Sequence, residues 1–177
     1  IIKFDIFKVK TMYAWFENCR RLKELDLSKL NTKSVNDMSF MFHSCGSLKS
    51  LNIENFNTEN VYNMSSMFNG DSFLPSLDLH MFDTKNVKNM SSLFDFCISL
   101  TSINILSFNT CQVEDMSYMF RLLSGLTSLD ISHFDTSKVQ SMSLMFYSCS
   151  KLAKLNVSNL NTTNLETVDY IFGNCGD

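Results

Sequence analysis

One aromatic position returns every 26 residues, at Phe16, Phe42, Phe68, Phe94, Phe120, Phe146 and Phe172, with no insertion or deletion in a chain of 177 residues. The position four residues earlier reads Met12, Met38, Met64, Met90, Met116, Met142 and Val168, so it demands apolar bulk rather than sulfur chemistry. Leucine-type columns start at Leu22, Leu25 and Leu27. A Phe or Leu column from Leu30 to Leu160, an unbroken Thr column from Thr32 to Thr162 and an aliphatic column from Val35 to Leu165 complete the unit. A fixed period of this length signals a solenoid, in which each unit buries its hydrophobic edge against the next and cannot stand alone. The register leaves no room for a linker, and no Pro- or Gly-rich break interrupts it. The prediction is a single array of about seven units over residues 1–177. Ile2 already falls inside a unit and Asp177 inside another, so the array is expected to be part of a longer protein, with any targeting or anchoring signal outside it.

Within a unit, Leu48, Leu51 and Ile53 end in the period-two alternation of a short strand with one buried face, and stacking at 26 residues makes these strands one parallel sheet. Val35, Met38, Met41, Phe42, Cys45 and Leu48 are spaced by three and four, which predicts a short helix with one face inward. Asp37, Asn63, Asn89 and Asp115, each just before a Met-Ser pair, are suited to cap that helix. The fold class expected is therefore an α/β solenoid, a right-handed stack of coils with a parallel sheet on one face and short helices on the other. Equivalent Phe rings are expected in file about 5 Å apart.

The outward strand column reads Asp26, Asn52, Asp78, Asn104, Asp130, Asn156. Interleaved Asn spaces the carboxylates to about 10 Å, near one Debye length. A single file of this kind does not converge enough oxygens on one point to hold calcium.

The phrase M-S-x-M-F-x-x-C-x-x-L-x-x-L-D/N-L/I, continuing through the Phe, Thr and Val columns, resembles the repeat of BspA-like leucine-rich-repeat surface proteins and covers essentially the whole chain. The resemblance implies a leucine-rich-repeat-like solenoid at the cell surface or outside the cell, often associated with adhesion to host or neighbouring-cell proteins. Two departures stand out. The Cys position reads Cys19, Cys45, Asp71, Cys97, Leu123, Cys149, Cys175, and the third unit carries Asn69-Gly70-Asp71 and Pro75, which should disturb the corner leading into its strand.

Catalytic chemistry finds no motif. Five of the six cysteines share one repeat position that also accepts Leu123, which favours buried, packed thiols. Disulfides between Cys19 and Cys45 or between Cys149 and Cys175 would meet poor geometry from parallel side chains. No Cys pair with zinc spacing is present, and Cys111 lies outside the shared position and is expected to be exposed. His43, His80 and His133 fall in different phases of the repeat and read as surface residues. No phosphate loop, nucleophile elbow or paired-carboxylate cleft is visible, so the chain reads as a non-enzyme without cofactor or metal. The Thr column suggests an ice-binding face, but one Thr per unit, preceded each time by Asn or Asp, fits a turn better. Glycosylation sequons begin at Asn63, Asn89, Asn156 and Asn161.

A net charge of −3 argues against a nucleic-acid or anionic-membrane partner, and no apolar run reaches the roughly 20 residues of a membrane span. The expected function is binding of another macromolecule, an extracellular or cell-surface protein. The expected surface is the strand face: Asp26, Asn52, Asp78, Asn104, Asp130 and Asn156, with Lys23, Lys49, Ser50, Ser76, Thr101 and Thr127 beside them. The alternative expectation is a structural array that self-associates end to end through its first and last units.

Overall fold

A computed structural model describes residues 6–175; Ile2 and Asp177 lie outside the described residues. Six three-residue strands recur at the repeat spacing: β1 Glu24–Asp26, β2 Ser50–Asn52, β3 Ser76–Asp78, β4 Ser102–Asn104, β5 Ser128–Asp130 and β6 Lys154–Asn156. Coils are numbered by their strands. The Phe rings stand in file through the centre, near-parallel, with centroids 5.6 to 5.9 Å apart from Phe16 to Phe172. That spacing slightly exceeds the strand spacing and suits offset-stacked rings. Phe42, Phe68, Phe94, Phe120 and Phe146 are fully buried, with the Met, Leu and Val columns packed around them.

The expected continuous sheet is instead three two-stranded parallel sheets, β1 with β2, β3 with β4 and β5 with β6. No Cα of β2 lies within 8 Å of one in β3, and the same holds between β4 and β5. What runs unbroken is a second parallel ladder, one bridge per coil, joining Thr11, Asp37, Asn63, Asn89, Asp115, Ser141 and Thr167 in sequence.

The expected helices are absent among the described residues. From Met38 to Cys45 the chain forms successive tight turns: Met41 N–H donates to Met38 O, His43 N–H to Phe40 O and Cys45 N–H to Phe42 O. The alternate amides are turned outward along the stack, so Met38, Phe40, Phe42 and Ser44 donate to the carbonyls of Asn63, Ser65, Met67 and Asn69 in the next coil. An amide bonded to the next coil is not available to a residue four places back in its own, and that excludes the α-helix. The pattern requires left-handed backbone, found at Phe40 (φ 58°), Ser44 (φ 60°), Ser66 (φ 56°), Gly70 (φ 81°) and their equivalents. Asp37, Asn63, Asn89 and Asp115 do accept from the backbone two residues on, at 2.8 to 3.0 Å, but they close turns rather than cap helices.

The Thr column is buried and points along the stack. Thr32, Thr58, Thr84, Thr110 and Thr136 donate to the carbonyls of Asn57, Asp83, Asn109, Asp135 and Asn161 at 2.8 to 3.0 Å. A buried file of hydroxyls offers no surface to ice. The thiols do the same work: Cys45, Cys97, Cys149 and Cys175 donate to the Phe carbonyl of the preceding coil at 2.8 to 3.0 Å. All six cysteines are free, and Cys111 is only partly exposed.

Candidate interaction face

The strand ends carry the predicted polar column, and each member closes a turn. Asp26, Asn52, Asp78, Asn104, Asp130 and Asn156 accept, through Oδ1, the backbone N–H two residues on. This explains why only Asp and Asn occupy the column, since both place a short side-chain oxygen where a turn needs an acceptor. The alternation has a second cause besides charge spacing. Asn104 Nδ2 donates to Asp78 Oδ1 at 2.9 Å and Asn156 Nδ2 to Asp130 Oδ2 at 3.2 Å, so Asp and Asn pair across the β3–β4 and β5–β6 sheets, while Asp26 and Asn52 make no such bond. The carboxylates titrate below the ordinary range, Asp26 chiefly through the Ser28 backbone N–H, Asp78 through the His80 side chain and Asp130 through the Ser132 side chain.

Lys23, Lys49, Ser50, Ser76, Thr101 and Thr127 lie beside the column and are exposed, as are Asp26, Asp78, Asp130 and Asn156, while Asn52 and Asn104 are half-buried. The structure thus brings all twelve predicted residues onto one face. Glu24, Ser102, Ser128 and Lys154 share the exposed repeat position of Ser50 and Ser76 and were missed, since the residue types in that column vary and gave no sign that it stays exposed in every coil.

The open joints of the face differ from one another. At one position of the loop after each strand a polar side chain reaches back to a carbonyl of the coil before: Asn55 to Ser28 O, Ser107 to Leu79 O, His133 to Ile105 O and Asn159 to Ser132 O. The corresponding residue in coil 3 is Met81, which has no polar hydrogen to give and stands 58% exposed. At the entry to the strands, Lys49, Thr101 and Ala153 donate their N–H to Lys23, Pro75 and Thr127. Pro75 itself has no N–H to return to Lys49. Proline and methionine therefore leave the joint between coils 2 and 3 unfastened at both ends of the strand. A cleft of about 340 Å³ opens there, lined by Asn52, Glu54, Asp78, His80, Met81 and Phe82 among others.

Two buried polar groups lie on the turn side instead. Asp95 makes a two-pronged ion pair with Arg121 of the next coil at 2.7 and 2.8 Å, and the guanidinium lies over the rings of Phe96 and Tyr118 at 4.9 and 4.8 Å. Burial raises the Asp95 carboxyl against the pull of that guanidinium. Asp71 is wholly buried in the Cys column. Its Oδ1 accepts the Cys45 N–H at 3.1 Å, its Oδ2 has no partner, and burial pushes its carboxyl up to about 8. His43, read as a surface residue, is half-buried with Nδ1 enclosed and unpaired, because Phe40 packs edge-on against its ring at 5.4 Å. His80 and His133 are exposed as expected. Among the described residues no group of three or more His, Cys, Asp or Glu is placed to hold a metal ion. No helix among them is long and apolar enough to cross a membrane.

A family model described as a Mycoplasma protein of unknown function, DUF285, matches residues 1–77 and 71–177. The chain belongs to that family. The BspA-like leucine-rich repeat read from the sequence accords with it, as do strands recurring every 26 residues. No curated protein matches. A solved structure of a leucine-rich repeat protein from Bacteroides ovatus is similar at 17% identity and a TM-score of 0.39, covering 94% of this chain and 57% of that one. The chain therefore spans a little over half the length of that protein.

Proposed function

We propose that this DUF285 array is a non-enzymatic protein-binding module, displayed at the cell surface or outside the cell, whose strand face docks on an adhesion partner, an extracellular or cell-surface protein. One observation carries the reading. The exposed side chains of Lys49, Ser76 and Thr127 make no structural bond, while the Phe, Met, Leu and Thr columns hold the coils together beneath them. A face whose residues are free of structural duty can be shaped for a partner without cost to the fold. The BspA-like resemblance supports the surface and adhesion parts of the proposal.

The test is an unbiased binding screen against extracellular and cell-surface proteins, followed by the triple variant Lys49→Glu, Ser76→Arg, Thr127→Arg. Partners captured by the parent should bind the variant at least about tenfold more weakly, with an unchanged melting temperature. Equal binding by the variant would remove this face. The Asp and Asn column is a poorer target, because replacing it also opens the turns it closes.

A further inference from the structure

We propose that the unfastened joint between coils 2 and 3 is a docking slot for an extended, lysine- or arginine-bearing segment of a partner protein, received as an added strand between β2 and β3. The proposal rests on the strand face being the binding face and names where and what it binds. Leu27, Leu79 and Ile131 donate their N–H to the Asn52, Asn104 and Asn156 carbonyls at 2.9 to 3.1 Å, and the equivalent Ile53 N–H and Asp78 carbonyl make no such bond. Each is a backbone group at a strand end that seeks a partner. Two strands with a third between them stand about 9.6 Å apart. β2 and β3 are already separated by more than 8 Å at every Cα.

The core beneath stays shut, with Phe42 and Phe68 stacked at 5.6 Å, and Leu77 and Leu79 are buried. The slot is therefore a surface furrow and not a path into the interior. It continues past the strands into a second hollow of about 270 Å³ that shares Glu54 and Met81 with the first. It ends where the Thr58 hydroxyl bonds the Asp83 carbonyl at 3.0 Å.

Charge selects the occupant. Glu54, Glu59, Asp78 and Asp83 line the two hollows, and His80 is the only basic side chain lining either. Asp78 Oδ1 is engaged by His80 and Asn104, while its Oδ2 and the Glu54 carboxylate make no bond. Lys85 already pairs with Asp83 at 2.8 Å. A strand alternating basic and aliphatic side chains would offer ammonium groups to Glu54 and Asp78 and a methyl-bearing side chain to the exposed Met81 thioether. The joint between coils 4 and 5 is also open in its ladder, but His133 fastens it and Leu106 and Cys111 stand where Glu54 and Glu59 do here.

The probe is a fluorescein-labelled peptide of alternating Lys and Val, titrated by anisotropy against the whole chain, with an alternating Glu and Val peptide as control. The Lys-Val peptide should bind one to one, more weakly at about 300 mM than at about 50 mM salt. Met81→His places at the slot the residue that fastens coils 4 and 5, and it should weaken binding at least about tenfold, as should Glu54→Gln, while Met81→Leu keeps binding within about twofold. Met81 is exposed, so these variants should melt with the parent. Absence of Lys-Val binding, equal binding of the Glu-Val peptide, or indifference to Met81→His would each overturn the proposal. Concentration-dependent dimerisation abolished by Met81→His would also overturn it, by naming a second copy as the occupant. A screened partner lost in the strand-face triple variant but indifferent to Met81→His would leave the face and remove the slot.

Discussion

Asp71 occupies a position that five other units fill with a thiol, Cys45 and Cys97 being its direct neighbours in the stack, and its carboxyl holds its proton up to about pH 8 instead of the ordinary 3.8. Between those two values the folded chain binds one more proton than the unfolded one. This contribution is therefore fully present below about pH 4, falls as pH rises by up to about 1.4 kcal/mol per unit, and is gone above about 8. The neighbouring thiols stay neutral across this window, Cys45 pushed up to about 12 and Cys97 well above its ordinary value, both chiefly by burial. Asp71→Leu, which copies the residue that Leu123 supplies two coils on, should raise stability more at about pH 9 than at about pH 5 in denaturant titrations, and flatten the dependence. A parallel downward slope in the variant would contradict this. Gly125 is a second sensitive residue: a Cβ there would meet the Leu100 carbonyl at 2.8 Å and the Ile98 carbonyl at 3.0 Å. Backbone does not yield as a flexible side chain does, so Gly125→Ala should cost about 1–3 kcal/mol in the same titration. Asp71 was legible as a departure in a Cys column; its proton was not, because that depends on an oxygen left without a partner.

At the scale of the element, three- and four-residue spacing was a sound guide to which side chains face inward and a poor guide to the backbone. A run of tight turns with a left-handed residue at every fourth position buries Met38, Met41, Phe42 and Cys45 on one side much as a helix would. Only the destination of the amides separates the two, and single residues do not encode it. Asn18, Gly70 and Asn174 are the only hints, since Gly and Asn take left-handed backbone readily while Phe40, Tyr118 and Leu144 adopt the same backbone without any such preference. The Thr column carries the opposite lesson. Its invariance was visible, but its burial follows from bonds to the next coil. Thr84 Oγ1 donates to Asn109 O at 2.9 Å and accepts from Asn109 N–H at 2.8 Å. Thr84→Val keeps the shape and leaves both groups unpaired, so it should cost about 2 kcal/mol, whereas Thr162→Val, at the exposed end of the file, should cost less than about 0.5 kcal/mol.

At the scale of the molecule, the array behaves as a row of neighbours. Phe94 is fully buried between Phe68 and Phe120, so Phe94→Ala should cost about 3–5 kcal/mol, while Phe16→Ala, where the ring is only half-buried, should cost clearly less. The 26-residue period made the stack and its Phe file legible at once. The pairing of strands in twos was written only faintly, in the Asp and Asn alternation, in Pro75 and in Met81, because a joint depends on what two coils offer each other and a repeat consensus describes one. Residue-resolved amide hydrogen exchange tests that pairing, on which the face and its slot depend. Leu27, Leu79 and Ile131 should be protected, and Ile53 and Ile105, in the same position of the repeat, should exchange at least about a hundredfold faster. Equal protection at all five would show a continuous sheet and contradict the account.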